Sequence, residues 1–401
     1  MRTYVIVLCC VVLAGILDIR PAQAVPAFAR REGVSCQMCH FRIPELNEDG
    51  HAYLRRGLRE KPDGAMGEMG GMQAGNELKM PVAAEPRPLG QPLALQWADY
   101  FTVMGHHMFT AEKGARANFD AGVIDIWAAG PFDRRWSALA NPSFDIENGG
   151  SSVDQAYGQY ISRWNARFAS GRGGQLIPFA ILFNQGGPSM PLSTPLILST
   201  SPDTGSSWTP STPVRGLEAG GINLPTWNIY VGFGQPHLET TLPDDVRHTD
   251  IYAGGEWLFG DSGNSITIYG YSGQAFLSPA ASGQSFHRVG VFGNGYFGKN
   301  TKAVLGYMTG SDKDAGNNSL DNSGYFVLGE QLLSDHWAAY ARYDRLRQDL
   351  SAGGASTTEG PALGISWWAA TEVRLTLEAQ FLKSSGGSRD RILSAEFLWA
   401  F

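Results

Sequence analysis

Two thiols and an imidazole stand together once in this chain, at Cys36-Gln37-Met38-Cys39-His40. Cysteines separated by two residues and followed at once by histidine form the attachment sequence of a c-type haem. The thiols would add to the two vinyl groups of one porphyrin, and His40 would be held under the iron as its proximal ligand. Other uses of paired cysteines fit less well. A structural zinc site needs a second Cys or His pair at similar spacing, and Cys9 and Cys10, the other two cysteines, fall in the apolar run at the start of the chain. A thioredoxin-like redox pair needs a βαβ context, which the sequence lacks. One covalent haem c on Cys36, Cys39 and His40 is the expected cofactor.

The iron's other face has several candidates. His51 follows His40 by eleven residues, close enough to fold back over the haem as a distal ligand. Met66, Met69, Met72 and Met80 offer thioethers from a Gly- and Pro-rich stretch. A methionine would raise the potential and a second histidine would lower it. His106 and His107 read as residues of the loop after the first strand, with one of them facing inward if the strand continues. Arg30, Arg31, Arg42, Arg55 and Arg56 cluster around the motif; they would pair either with haem propionates or with acidic groups of the protein. No Ser/His/Asp constellation, phosphate-binding glycine loop or paired-carboxylate motif stands out, so no catalytic side chain is expected beyond the haem ligands.

These residues need elements to position them. Asn47-Glu48-Asp49-Gly50 reads as a turn and residues 51–58 as a short helix. Residues 1–24 read as a secretory signal, with Arg2 at a positive start, an apolar core from Val5 to Ile16, and small residues Ala22 and Ala24 at the cleavage site. Cleavage would leave two cysteines, both in the haem motif, and shift the net charge from −7 to −8 by removing Arg2, Arg20 and Asp18. Export fits a c-type haem, which is attached outside the bacterial cytoplasm. The expected organisation is a signal over 1–24, a monohaem segment over 25–61, a linker over 62–91 and a barrel over 92–401.

The barrel is read from period-two alternation. In Val373-Arg374-Leu375-Thr376-Leu377-Glu378-Ala379-Gln380-Phe381 the apolar residues face one way and the polar ones the other. Leu393, Ala395, Phe397, Trp399 and Phe401 repeat the pattern to the last residue. A final aromatic closing an alternating strand resembles the assembly signature of bacterial outer-membrane barrels. The 50 glycines, 11% aromatic and 17% charged residues suit such a chain, since the strands hide their apolar face by alternation and the polar face lines a wet lumen. No second segment approaches the ~18 apolar residues of a membrane helix. Strands are expected near 93–107, 118–129, 133–145, 152–165 and 173–184, with long and short connections alternating from 250 to 401. A direct count gives fifteen strands. Since single-chain bacterial barrels have an even number, one more is expected between 185 and 250. The fold class is thus a mainly β, antiparallel outer-membrane barrel of 16 strands, or of 14 if 133–145 is not a strand. Negative charge and the lack of a basic patch exclude nucleic acid as a partner. Asp312, Asp314, Asp321 and Asp349 read as acidic residues of the outer loops, able at most to steer a cation inward.

The run Pro26-Ala27-Phe28-Ala29-Arg30, Gly33, Cys36, Cys39-His40, Pro44, Leu46-Asn47, Gly50 and Gly57 resembles the fused outer-membrane monohaem cytochrome c–porins associated with extracellular Fe(II) oxidation. The match covers residues 26–58; the rest is similar in architecture. The chain departs from that pattern at Arg31, where an amide is expected, at His51, where a basic residue is expected, and at Leu58, where a tyrosine is expected. The resemblance implies a barrel of 16 strands set in outer-membrane lipid, with the haem segment at its periplasmic side or within its lumen. It implies electron transfer from extracellular Fe(II), or another reduced donor, through the haem to a periplasmic cytochrome or similar carrier. The chain would then act as an iron:cytochrome c oxidoreductase. Two other readings compete. One is a transport porin whose haem segment is a plug or redox sensor; the other is a soluble β-protein with a haem tail.

Overall fold

The computed structural model describes residues 27–32, 34, 36–59 and 100–400, apart from 113, 115, 134, 163–166, 188, 202–207, 225, 237–248, 260–263, 276–283, 299, 315 and 388. The expected signal, the linker with its four methionines, and Phe401 lie outside these residues.

Sixteen antiparallel strands close into one barrel. In chain order they are β1 (Phe101–Glu112), β2 (Asn118–Pro131), β3 (Trp136–Asp145), β4 (Ser151–Ile161), β5 (Arg167–Leu176), β6 (Val214–Asn223), β7 (Trp227–Pro236) and β8 (Asp250–Phe259). There follow β9 (Asn264–Ala275), β10 (Gln284–Phe297), β11 (Thr301–Lys313), β12 (Ser319–Leu332), β13 (Trp337–Asp349), β14 (Ala355–Ala370), β15 (Val373–Ser384) and β16 (Arg389–Ala400). Each pairs with its sequence neighbour, and β16 returns to β1 with Phe397 opposite His107. Closure leaves no strand edge unpaired, which is what a sheet needs where no water can satisfy its backbone.

Alternation decides which face meets what. On β7, Ile229, Val231 and Phe233 point outward and are more than half exposed, while Asn228 and Tyr230 are buried inside. Trp257, Phe297, Ile268, Leu305, Val327 and Leu377 continue the exposed apolar surface around the wall. Such a surface, far larger than a soluble monomer presents, suits a hydrocarbon surround. The lumen face carries charges in pairs: Arg172 with Glu218 at 2.6 Å, Arg288 with Asp312 at 2.7 Å, Arg342 with Asp344 at 2.6 Å and Arg374 with Glu396 at 2.5 Å.

The expected count of 16 holds, and residues 136–145 are a strand, so 14 is excluded. Two strands, β6 and β7, fall between 185 and 250. Several bounds differ from the expectation. The strand expected over 173–184 ends at Leu176; Pro178 then opens a short helix, Phe179–Ile181, that runs into a wide turn, Leu182–Gly186. The run from Ile177 to Phe183 is apolar without alternation, and it buries Phe179, Ala180, Ile181 and Phe183 inside the barrel. The described residues of the connection between β5 and β6 therefore fold inward at Phe179–Phe183, Met190, Ile197, Leu198 and Trp208. Charged wall residues hold it: Glu378 accepts from the Leu192 amide at 3.1 Å, Asp344 from the Leu196 amide at 3.2 Å, and Arg342 donates to the Ser193 hydroxyl at 2.9 Å.

His106 and His107 are not loop residues. β1 runs on to Glu112, and His106 faces the lumen between Glu396 at 3.0 Å and Asp125 at 3.3 Å. His107 faces outward and accepts from the Trp399 indole N–H at 3.2 Å. Asp312 is likewise no loop residue but the buried partner of Arg288. Strands that rise past the apolar band absorb residues that composition alone assigns to loops.

Inward aromatic rings lie over glycines of the neighbouring strand, as Tyr230 does over Gly254, Tyr252 over Gly232 and Tyr340 over Gly364. A Cβ at Gly364 would collide with the Tyr340 ring. Gly364→Val is expected to destabilise the barrel by about 1–3 kcal/mol through overpacking, seen as a lower urea midpoint for the detergent-folded protein. An unchanged midpoint would mean the ring does not fill that slot.

Candidate functional site

The motif Cys36–His40 begins on a single 3-10 turn, Cys36–Met38, closed by the Cys39 amide bonding the Cys36 carbonyl at 3.2 Å. Neither of its cysteines is in a disulfide. His40 then opens a two-strand ribbon, His40–Arg42 against Glu45–Leu46. Across that ribbon His40 Nδ1 sits 3.2 Å from the Pro44 carbonyl oxygen. A carbonyl only accepts, so Nδ1 carries the proton and Nε2 presents its lone pair. This backbone contact is the kind that fixes the tautomer and ring orientation of a metal-bound histidine.

Helix α2 (Glu48–Arg55) follows, the short α1 (Ala27–Glu32) having preceded the motif. The sequence suggests a turn at 47–50 and a helix over 51–58; the helix begins three residues earlier. Asn47 caps it by accepting from the Gly50 amide at 3.0 Å, and Glu48 and Asp49 suit the positive end of its dipole. Gly50 is inside the helix because α2 presses against the motif: a Cβ there would collide with the Cys39 carbonyl. His51, the next residue, stacks on Phe183 with ring centroids 4.3 Å apart and lies near enough to His40 that protonating either ring would disfavour protonating the other. The structure thus brings Cys36, Cys39, His40 and His51 into one neighbourhood.

Residues 27–59 occupy the lumen at the end of the barrel where the connections are short, such as 224–226, 298–300 and 371–372. Arg55 pairs with Glu256 of β8, and Glu45 pairs with Lys302 of β11. The Trp368 indole donates to the Ile43 carbonyl at 3.4 Å. Ala27 donates to Thr102 at 2.9 Å, and Arg59 to the Trp136 carbonyl at 2.7 Å. From the opposite side the segment is closed over by the inward connection, through Phe183 and Gln185. Sequence gives no sign of Glu256, Lys302 or Phe183, since an inward charge is like any other in an alternating strand. The apolar run 177–183 is the one signal that could have revealed the inward loop.

Burial sets the electrostatics. It lowers the pKa of His40 to about 4 and that of His51 well below the usual range, with Arg55, Lys302 and His40 pushing His51 the same way. Both imidazoles are therefore neutral at physiological pH, the form that binds metals. Burial, with the nearby Glu372 carboxylate, pushes the Cys36 thiol up to about 11.

The expected arginine cluster divides. Arg31 is spent on Glu32 at 2.8 Å and on the Ala129 carbonyl at 3.1 Å, and Arg55 on Glu256. Arg56 is buried with its Nε lacking any acceptor, and Arg42 Nε is buried in the same way, its one acidic neighbour being the exposed Asp335 at 3.8 Å. Arg30's side chain lies outside the described residues. Among the described residues no cluster of three or more His, Cys, Asp or Glu could hold a bare metal ion.

No protein-family model matches the chain, and no curated protein matches it. Its likeness is to solved structures. A loop-deletion form of OmpT, an outer-membrane protein of Vibrio cholerae, superposes with a TM-score of 0.58 at 13% identity over 75% of this chain and 98% of its own. An anion-selective porin from Comamonas acidovorans gives 0.58 at 11% over 75% and 98%. Salmonella typhi OmpF, in complex with daunomycin, gives 0.57 at 10% over 75% and 96%. The fold is that of the outer-membrane porins. The matched share is about that of residues 100–400, the barrel itself. The fit extends to the closed, 16-strand order and so settles the fold class expected from alternation.

A thiol reacts as its thiolate, so in protein lacking attached haem Cys36 is expected to alkylate about a hundredfold more slowly at pH 8 than an ordinary thiol, since each pKa unit costs tenfold in thiolate. The rate should climb with pH toward 11, and Glu372→Gln should raise it at pH 8. Ordinary reactivity at pH 8, read by mass spectrometry of iodoacetamide adducts, would contradict the burial of Cys36.

Proposed function

We propose that this chain is an outer-membrane c-type cytochrome housed in a porin-type barrel. It would take electrons from an extracellular donor, Fe(II) being the donor that the N-terminal resemblance implies, and deliver them to a periplasmic carrier. The observation that carries this reading is the His40–Pro44 contact beside two cysteines that form no disulfide. It leaves Nε2 as the one imidazole nitrogen able to ligate iron, at the site where Cys36 and Cys39 would make thioether bonds.

The residues present fit a haem. Cys36 and Cys39 would hold it covalently, His40 would ligate its iron, and the buried Arg56 and half-buried Arg42 guanidiniums suit its propionates. When bound, such a group supplies one-electron chemistry at a potential set by its axial ligands and burial. His51 is the nearest candidate for the second axial position. The remaining work belongs to the protein. Arg55 and Glu45 fix the segment to the wall, α2 presses on the motif through Gly50, and Phe183 and the inward connection shield it from the far side. With short turns facing the periplasm, as in other outer-membrane barrels, the motif would lie on the periplasmic side, within reach of a soluble carrier. Fe(II) oxidised outside the cell would leave its insoluble product there.

The fold's likeness to porins, one of them anion-selective, favours a second reading, a transport barrel plugged by residues 27–59. The two differ in conductance. The electron-transfer reading expects purified protein to be silent in planar bilayers in both redox states; conductance that switches with redox state would favour the plug.

The direct test is stopped-flow spectroscopy of the purified outer-membrane protein mixed with Fe(II). Haem reduction is expected in the natural chain. It should vanish in His40→Ala, while Cys36→Ser with Cys39→Ser should lose covalent haem altogether. Fe(II)-dependent reduction that survives His40→Ala would overturn the assignment.

A further inference from the structure

The reading above leaves a distance to be crossed. The motif is anchored at Glu256, near the short-turn end of β8, and Asp250 at the other end of that strand lies about 20 Å further along it at the usual rise per residue. We propose that a file of closely spaced aromatic rings spans this interval and serves as the electron path between the long-loop end of the lumen and the haem segment; the proposal rests on the haem reading.

The file begins at His51. Its ring stacks on Phe183 at 4.3 Å, and Phe183 on Phe179 at 5.1 Å with the planes 14° apart. Phe179 meets Tyr230 edge-on at 6.3 Å. Tyr230 and Tyr252 fill the seam between β7 and β8, each lying over the other strand's glycine, Gly254 and Gly232. Tyr252 then stacks on Tyr271 at 6.0 Å and 5°, and Tyr271 meets Trp208 at 5.0 Å. Each of these separations lies within or just below the range for interacting rings. Tyr230 and Tyr252 are diagonal neighbours across the β7–β8 seam rather than a stacked pair, and with that one step the path climbs from the helix beside the motif to the inward connection near the long-loop rim.

A packing role alone does not call for this arrangement. β13–β15 hold the same inward connection chiefly with charges, through Arg342, Asp344 and Glu378, joined by the one tyrosine hydroxyl of Tyr340, which accepts from the Leu192 amide at 3.4 Å. Aromatic residues are concentrated on the β7–β10 side, which is where they form a file. Delocalised π orbitals give electronic overlap across each contact that saturated side chains would not. One electron leaves the reduced donor outside, passes through the overlapped rings and arrives at the ferric iron held by His40. The donor is oxidised by one unit, the iron is reduced by one, and the rings end unchanged with no proton moved.

The experiment attaches a ruthenium photoreductant to Ser285→Cys, an outward-facing residue at the long-loop end of β10, in the haem-loaded full chain. Flash-induced haem reduction is then timed. Tyr252→Leu, Tyr271→Leu and Phe179→Leu, each made separately, should slow it about tenfold, equivalent to about 1.4 kcal/mol of activation free energy, with haem spectrum and potential unchanged. Tyr271→Phe, which keeps the ring and loses its 2.6 Å hydrogen bond to Asp250, should keep the natural rate. Leucine variants as fast as the natural chain would overturn the proposal, and so would a Tyr271→Phe variant as slow as Tyr271→Leu. A second readout needs no haem. In the Cys36→Ser, Cys39→Ser barrel carrying a photo-oxidant at the same position, an electron paramagnetic resonance signal from Trp208 or Tyr271 is expected and should be lost in their double leucine variant. Its absence from the haem-free barrel with both rings intact would place the outer end of the file wrongly. Failure to find covalent haem in the natural chain would sink the haem reading instead, and the resonance measurement keeps the two failures apart.

Discussion

Everything in this molecule depends on the need to pair every backbone N–H and C=O where the surroundings offer no water. A sheet meets that need only by closing on itself, and closure sorts the side chains into two solvents. Outward positions must be apolar along the middle of each strand. Inward positions are released from that demand, and here they are used for ion pairs, tyrosines and glycines. The haem motif is too short to build a core of its own. It borrows one, with Phe41 and Tyr53 buried in the same cluster as Tyr230, Tyr269 and Phe326 of the wall.

The lumen therefore holds segments of the chain's own. Residues 27–59 enter it from the short-turn end and the connection 177–213 from the wall, and they meet where His51 stacks on Phe183. Each is tied by charges whose partners lie on different strands: Glu256 on β8, Lys302 on β11, Asp344 on β13 and Glu378 on β15. Desolvated ions of this kind add little net stability, but removing one partner leaves the other stranded at a cost of about 3–5 kcal/mol. They hold the contents of the barrel in place more than they hold the barrel together.

The architecture was legible in the sequence because alternation is local: Val373 to Phe381 announces both faces of β15 without reference to any other residue. The Cys36–His40 pattern stands out for the same reason, since five adjacent residues spell it. Strand ends were less so. His106, His107 and Asp312 looked like loop residues because polar side chains in a lumen and polar side chains in a loop have the same composition. The helix at Glu48–Arg55 starts earlier than expected because Gly50, ordinarily a helix breaker, is demanded by the Cys39 carbonyl across the contact. The partners of Arg55 and Glu45 were invisible, since ion pairs separated by 201 and 257 residues leave no trace in spacing.

A barrel of near-identical staves offers anything inside it many azimuths that look alike. A plug held by hydrophobic contact alone could rotate among them at small cost, and its iron ligand would point at a different stave each time. The charges Arg55 and Glu45 remove that degeneracy. They have opposite sign and meet β8 and β11, so a plug turned by one stave would leave Glu256 with only the Asn228 amide and Lys302 with only Glu330 at 3.9 Å. The two pairs act as a key with two teeth, and they select the one angular setting in which His51 faces Phe183.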